Sequence, residues 1–76
     1  MTTVEIEYCV PCGFRDRALD LQRAILTGLE RDIDSFRLVM GDHGVFQVRV
    51  DGRTVYDKDD EEFDVDAIVR EVRTAL

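Results

Sequence analysis

Seventy-six residues, 45% of them hydrophobic, are enough for one folded core and too few for two, so residues 1–76 are read as a single domain. Seventeen acidic residues against ten basic ones give a net charge of −7, a field that repels phosphate backbones and anionic bilayers and argues against nucleic-acid or membrane partners. No apolar run approaches bilayer length, and Met1-Thr2-Thr3-Val4-Glu5 lacks the form of a signal peptide, so a soluble protein of the cytoplasm is expected.

From Thr2 to Tyr8 the side chains alternate, with Val4, Ile6 and Tyr8 on one side, which predicts a strand. Cys9-Val10-Pro11-Cys12-Gly13 breaks it. Pro11 has a fixed φ near the helical value and no N–H, features that suit the first turn of a helix. From Phe14 to about Arg31, apolar residues fall at Phe14, Ala18, Leu21, Ile25 and Leu29, a helical stripe. Gly28 interrupts that helix and is expected to permit close packing. Phe36 to Met40 reads as a short strand, followed by Gly41-Asp42-His43-Gly44. Val45 to Val50 and Arg53 to Asp57 flank Asp51-Gly52, the strongest short-range signal for a hairpin. Asp57 to Glu62 is a solvated acidic loop without the spacing of a calcium site. Asp64 can cap a second helix, with Phe63 and Ile68 placed for a hydrophobic staple. Val65, Ile68, Val69, Val72 and Leu76 form its apolar face.

The order is β-α-β-β-β-α, an α/β class. A strand–helix–strand start favours a right-handed crossover, so the first two strands should be parallel. Placing the hairpin on the far side of the first strand gives a four-stranded mixed sheet of order 2-1-3-4, with two helices packed on it. The link between the second and third strands must then cross about 10 Å, and four residues reach roughly 14 Å. Such a crossing sets Asp42 and His43 beside the cysteines. The competing layout is a meander that pairs the second and third strands directly and carries the loop away.

Cys9 and Cys12 hold the only constellation with evident chemistry. In a reducing compartment, a pair three residues apart at a strand-to-helix junction is the context in which the spacing becomes redox-active. Amides at a helix start lower a thiol's pKa, and the one-turn spacing lets one sulfur resolve a mixed disulfide formed by the other. By its place before the helix, Cys9 is expected to be the more exposed attacker, as the first motif cysteine is in thioredoxins, with Cys12 resolving. Half a zinc site and a pair of inert thiols are the alternatives. Zinc usually takes four such ligands and only His43 remains to supply one, so a closed site would need a dimer or carboxylates. The redox reading expects neither a metal nor a bound cofactor.

The pattern resembles the selenoprotein W, T and H group, the Rdx family of small thioredoxin-like proteins. The resemblance rests on Ile6-Glu7-Tyr8-Cys9-Val10-Pro11-Cys12, the following helix, Gly44-Val45-Phe46-Gln47-Val48, Asp51-Gly52 and the terminal helix. Gln47 stands where that family usually has glutamate. The resemblance implies a thioredoxin-like fold and a redox role, with protein thiols or small thiols such as glutathione as partners. Selenocysteine-containing members carry selenium at the position of Cys12, which opposes the assignment of Cys9 as attacker. Thioredoxins also have a cis-proline facing the motif, whereas Pro11 is the only proline here and Val45-Phe46 would occupy that region.

The expected function is therefore a thiol–disulfide protein cycling Cys9 and Cys12 between dithiol and disulfide, acting as a monomer. A redox-responsive binding module and a metal–thiolate carrier are the rivals. His43 reads as a polar turn residue, with proton transfer to a thiolate as its functional alternative. Phe14, Phe46 and Tyr8 read as packing rather than as a rim for a partner. Eleven aspartates, six glutamates and one lysine, Lys58, against nine arginines also fit a halophilic cytoplasm, since salt screens self-repulsion. Equal stability in dilute and concentrated salt would contradict that expectation.

Overall fold

Alternation of apolar and polar side chains shapes the sheet. A computed structural model describes residues 1–76, with strands β1 (Thr3–Cys9), β2 (Ser35–Gly41), β3 (Phe46–Val50) and β4 (Arg53–Asp57) and helices α1 (Arg15–Leu29) and α2 (Val65–Ala75). The strands form one sheet of order β2-β1-β3-β4, as the crossover layout requires. β1 runs parallel to β2, in a register from Thr3 opposite Ser35 to Cys9 opposite Gly41, and antiparallel to β3, with Tyr8 opposite Phe46. Asp51 and Gly52 both have positive φ, 51° and 84°, the geometry of a tight hairpin turn whose twist matches the strands. No helix is long and apolar enough to cross a membrane.

One face of the sheet is apolar and one is charged. Val4, Ile6, Tyr8, Phe46, Val48, Val50 and Tyr56 are buried with Ala18, Leu21, Ile25 and Leu29 of α1 and with Ile68 and Val72 of α2. The helical stripe read from the sequence is the one that packs. On the opposite face Arg49 bonds Glu5 (2.7 Å) and Glu7 (3.0 Å) across strands, and its Nη1 also donates to Gln47. Burial opposes the charge on Arg49, but these two carboxylates outweigh it and hold the guanidinium above its ordinary pKa. Such a raised cation is protonated at any working pH, so Arg49 itself makes no pH dependence there.

Several element ends differ from the sequence reading: β1 runs Thr3–Cys9 where Thr2 to Tyr8 is expected, β2 runs Ser35–Gly41 where Phe36 to Met40 is expected, and β3 starts at Phe46, one residue after Val45. The first helix begins at Arg15, so Pro11 lies in the turn before it and not in its first turn, because Gly13 is left-handed (φ 76°) and Phe14, the N-cap, is not yet helical. It ends at Leu29 and continues as a 3-10 turn over Glu30–Asp32. Leu76 is exposed, and Ala75 packs against the core in its place. Asp64 caps α2 as expected, accepting from Ala67 N–H at 3.1 Å.

Gly28 does not mediate close packing. A Cβ there would meet only the Arg73 guanidinium, at 3.7 Å, an ordinary contact with a flexible side chain. Gly28→Ala is therefore expected to raise stability by about 0.5–1 kcal/mol through helix propensity, as chemical denaturation would record.

Tyr56 is buried, and its hydroxyl donates to the Glu61 carbonyl at 3.3 Å. Burial raises its pKa from the ordinary 10.0, more than the charge of Arg17 lowers it. An acid held neutral in the fold ionises first in the unfolded chain. Its contribution is whole below pH 10 and falls as pH rises through the folded pKa. Tyr56→Phe should flatten the loss of stability above pH 10 while costing about 0.5–1.5 kcal/mol at neutral pH for the lost hydrogen bond. Parallel pH–stability curves for the two proteins would contradict this.

Candidate functional site

The link from β2 to β3 crosses the carboxyl end of β1 and grips it from both sides. Cys9 N–H donates to Val45 O at 2.8 Å, and Val10 N–H donates to Gly41 O at 3.0 Å. Gly41 leaves room for the side chains beside it, since a Cβ there would lie 2.8 Å from Val45 Cγ1 and 2.9 Å from Glu7 Oε2 and both side chains would have to shift. The chain then turns back on itself, with Gly13 N–H donating to Val10 O at 3.1 Å and Phe14 N–H to Cys9 O at 3.4 Å. Inside that turn Cys9 and Cys12 are joined by a disulfide, their Cα atoms 5.3 Å apart.

The two sulfur residues differ in access. Cys9 is 0% exposed, held at the end of the central strand. Cys12, with Val10 and Pro11, is exposed. This reverses the expectation that Cys9 would be the open one. The reason is local: β1 extends through Cys9, so its backbone is sealed between the flanks of the crossing link, and the turn begins only afterwards. The amides of Gly13 and Phe14 are spent on closing the turn, and Ala18 N–H bonds Phe14 O. The first-turn amides of α1 left open therefore belong to Arg15, Asp16 and Arg17, just beyond Cys12.

A hollow of about 410 Å³ opens beside the turn, lined by Tyr8, Val10, Gly13, Arg15, Asp16 and Met40. Met40 reaches it because the parallel register sets it opposite Tyr8. Period-two alternation through Phe36, Leu38 and Met40 carried that signal, which needed the register to be read. Arg17 is turned aside, its guanidinium 4.9 Å from the Phe14 ring and 4.8 Å from the Phe63 ring. Phe46 is core and Phe14 packs on it edge-to-face at 6.1 Å.

His43 is not brought to the sulfurs by its side chain. It is almost wholly exposed, at φ 60°, with Nδ1 2.6 Å from Asp42 Oδ1. The loop crosses where the topology places it, and the imidazole points to solvent. No group of three or more His, Cys, Asp or Glu side chains is arranged to hold a metal ion.

The model of the Rdx family matches residues 3–74. A crystal structure of a protein from Bordetella parapertussis is similar at a TM-score of 0.91 and 26% identity, over 99% of this chain and 98% of that one. The crystal structure of a selenoprotein W-related protein from Vibrio cholerae is similar in fold at a TM-score of 0.88 and 20% identity, over 97% of this chain and 95% of that one. No curated protein matches.

Proposed function

The chain belongs to the Rdx family, and from that premise we propose that it is a thiol–disulfide redox protein in which Cys12 meets the partner and Cys9 resolves. The observation that carries the assignment is the asymmetry of burial, with Cys12 open and Cys9 at 0% exposure. In the reduced protein the Cys12 thiolate attacks a partner disulfide, forming a Cys12 mixed disulfide and expelling one partner thiolate. Cys9, as thiolate, then attacks Cys12 Sγ, and the second partner thiolate leaves. The protein loses two electrons and the partner disulfide gains them, with the two protein protons passing to the two partner thiolates. Two partner thiols run the same steps backwards, the first attacking the exposed Cys12 Sγ. Protein disulfides and small ones such as that of glutathione fit this chemistry.

The test is equilibration in mixtures of glutathione and its disulfide, with the Cys9–Cys12 state read by mass after acid quenching. A single reversible two-electron transition is expected, approached faster than a free cysteine peptide forms its disulfide. A pair that stays oxidised in excess thiol, or exchanges no faster than the free peptide, would overturn the proposal and leave a fold that only presents the hollow to a binding partner.

A further inference from the structure

The hollow beside the cysteine turn has polar groups with nothing in the protein to bond. Phe14, the N-cap of α1, makes no side-chain hydrogen bond, so the amides of Arg15 and Asp16 stay unpaired, and both residues line the hollow. A helix start left open in this way attracts a negative group.

A second feature points into the same space. Tyr8 is 5% exposed and lines the hollow, yet its hydroxyl bonds no group of the protein, whereas Tyr56, the other tyrosine, donates to Glu61 O. No sealed side-chain oxygen in the molecule lacks a partner. The Tyr8 hydroxyl is therefore the open tip of a buried ring, turned to the hollow as a free donor.

The charges set what fits. Arg15 and Asp16 are the only charged residues in the lining, one of each sign, and neither joins an ion pair. A simple anion would meet Asp16 as well as Arg15. A group with both charges on one carbon satisfies the two together. Its carboxylate takes Arg15, the Tyr8 hydroxyl and the α1 amides, while its ammonium takes Asp16. Val10 and Met40, 51% and 65% exposed, supply an apolar wall for the methylene that joins such a head to a sulfur. Exposed Cys12 lies between Val10 and Gly13, which both line the hollow, so a seated head group keeps its sulfur beside the Cys12 thiol.

We propose that this hollow is a subsite for the free α-amino-acid group of a low-molecular-weight thiol or disulfide, held there for exchange with Cys12. The subsite rests on the dithiol reading and narrows its partners. It favours small zwitterionic thiols over cysteines within proteins, whose ammonium and carboxylate are consumed in peptide bonds.

The experiment gives the reduced protein three mixed disulfides with the same nitrothiobenzoate leaving group. Their small thiols are cysteine, cysteamine, which lacks the carboxylate, and 3-mercaptopropionate, which lacks the ammonium. In each, the Cys12 thiolate bonds the small-thiol sulfur and nitrothiobenzoate departs as a coloured thiolate. Every rate is divided by that of a free cysteine peptide, which removes differences in intrinsic reactivity. The net charge of −7 alone would rank the cationic cysteamine first. The subsite instead puts cysteine first, by about tenfold over either of the others. Tyr8→Phe is expected to cut the lead of cysteine over cysteamine about fivefold, and Asp16→Asn to cut its lead over 3-mercaptopropionate about as much. Tyr8→Phe keeps the ring and loses no hydrogen bond within the protein, and thermal unfolding verifies that both variants fold. Any other order in the unmutated protein, or leads that survive both substitutions, overturns the subsite while the dithiol chemistry stands. If none of the three reacts faster than with the free peptide, the dithiol reading fails instead. The subsite is then judged by amide shifts on adding S-methylcysteine. Shifts at Arg15 and Asp16 that its methyl ester fails to produce uphold it. Shifts from both compounds, or from neither, overturn it.

Discussion

Cys9→Ser is expected to accumulate a stable mixed disulfide on Cys12 when the reduced protein meets glutathione disulfide, and Cys12→Ser to accumulate almost none. Exchange needs a thiolate on the attack line of the partner sulfur, so access multiplies reactivity. Cys9 is fully buried, with its amide tied to Val45 O and its carbonyl to Phe14 N–H. Attack by Cys9 on an outside disulfide would require opening the end of the central strand. A difference of at least about a hundredfold in the rate of adduct formation is expected, which corresponds to roughly 3 kcal/mol of opening cost. Cys9→Ser also places a hydroxyl in a sealed apolar position, at a cost of about 1–3 kcal/mol. Adduct mass, not melting temperature, is therefore the measurement that decides. If Cys12→Ser forms the adduct as fast as Cys9→Ser, the burial asymmetry has no kinetic meaning, and if it forms the adduct faster the order of attack is the reverse.

Much of this architecture can be traced to short-range rules that the fold does not override. Val4, Ile6 and Tyr8 face the core because period-two alternation with charged neighbours leaves them one side to occupy. Asp51-Gly52 turns because few dipeptides accept positive φ at both positions. Even the path of the link over β1 follows from strand spacing and chain reach. The access of the two sulfurs was not legible, because it depends on which backbone amides the link seals at Cys9 and Val10. That is a long-range fact set by residues 41 and 45. The start of α1 shifted for a related reason. Pro11 satisfies a helical first turn, but the left-handed Gly13 and the contact of Phe14 with Phe46 end the turn before the helix begins. Met40 illustrates the same limit. Its sequence marks a strand, and only the parallel register with Tyr8 makes it a wall of the hollow.

The largest loss of stability is expected at Phe46→Ala. Phe46 is 1% exposed, and its ring meets those of Phe14 at 6.1 Å, Tyr56 at 6.3 Å and Phe63 at 5.5 Å, all edge-to-face. Truncation removes one large side chain and three aromatic pairs at once, and the sheet backbone beneath it is fixed on both sides by β1 and β4. Collapse into the gap is thus limited, and a cost of about 3–5 kcal/mol follows. A 76-residue domain holds only about 4–11 kcal/mol in total, so the melting temperature should fall by roughly 15–30 °C. The same ring also supports the site. Phe14 rests on it, and Phe14 N–H closes the turn onto Cys9 O. A looser turn lowers the effective concentration of one sulfur for the other, so the Cys9–Cys12 bridge should become several-fold easier to reduce in Phe46→Ala under conditions where it remains folded. Phe46→Leu retains most of the volume and should cost under half as much. A loss below 1 kcal/mol in the alanine variant, or an unchanged thiol–disulfide equilibrium in a folded sample, would mean that the aromatic cluster neither anchors the core nor holds the turn.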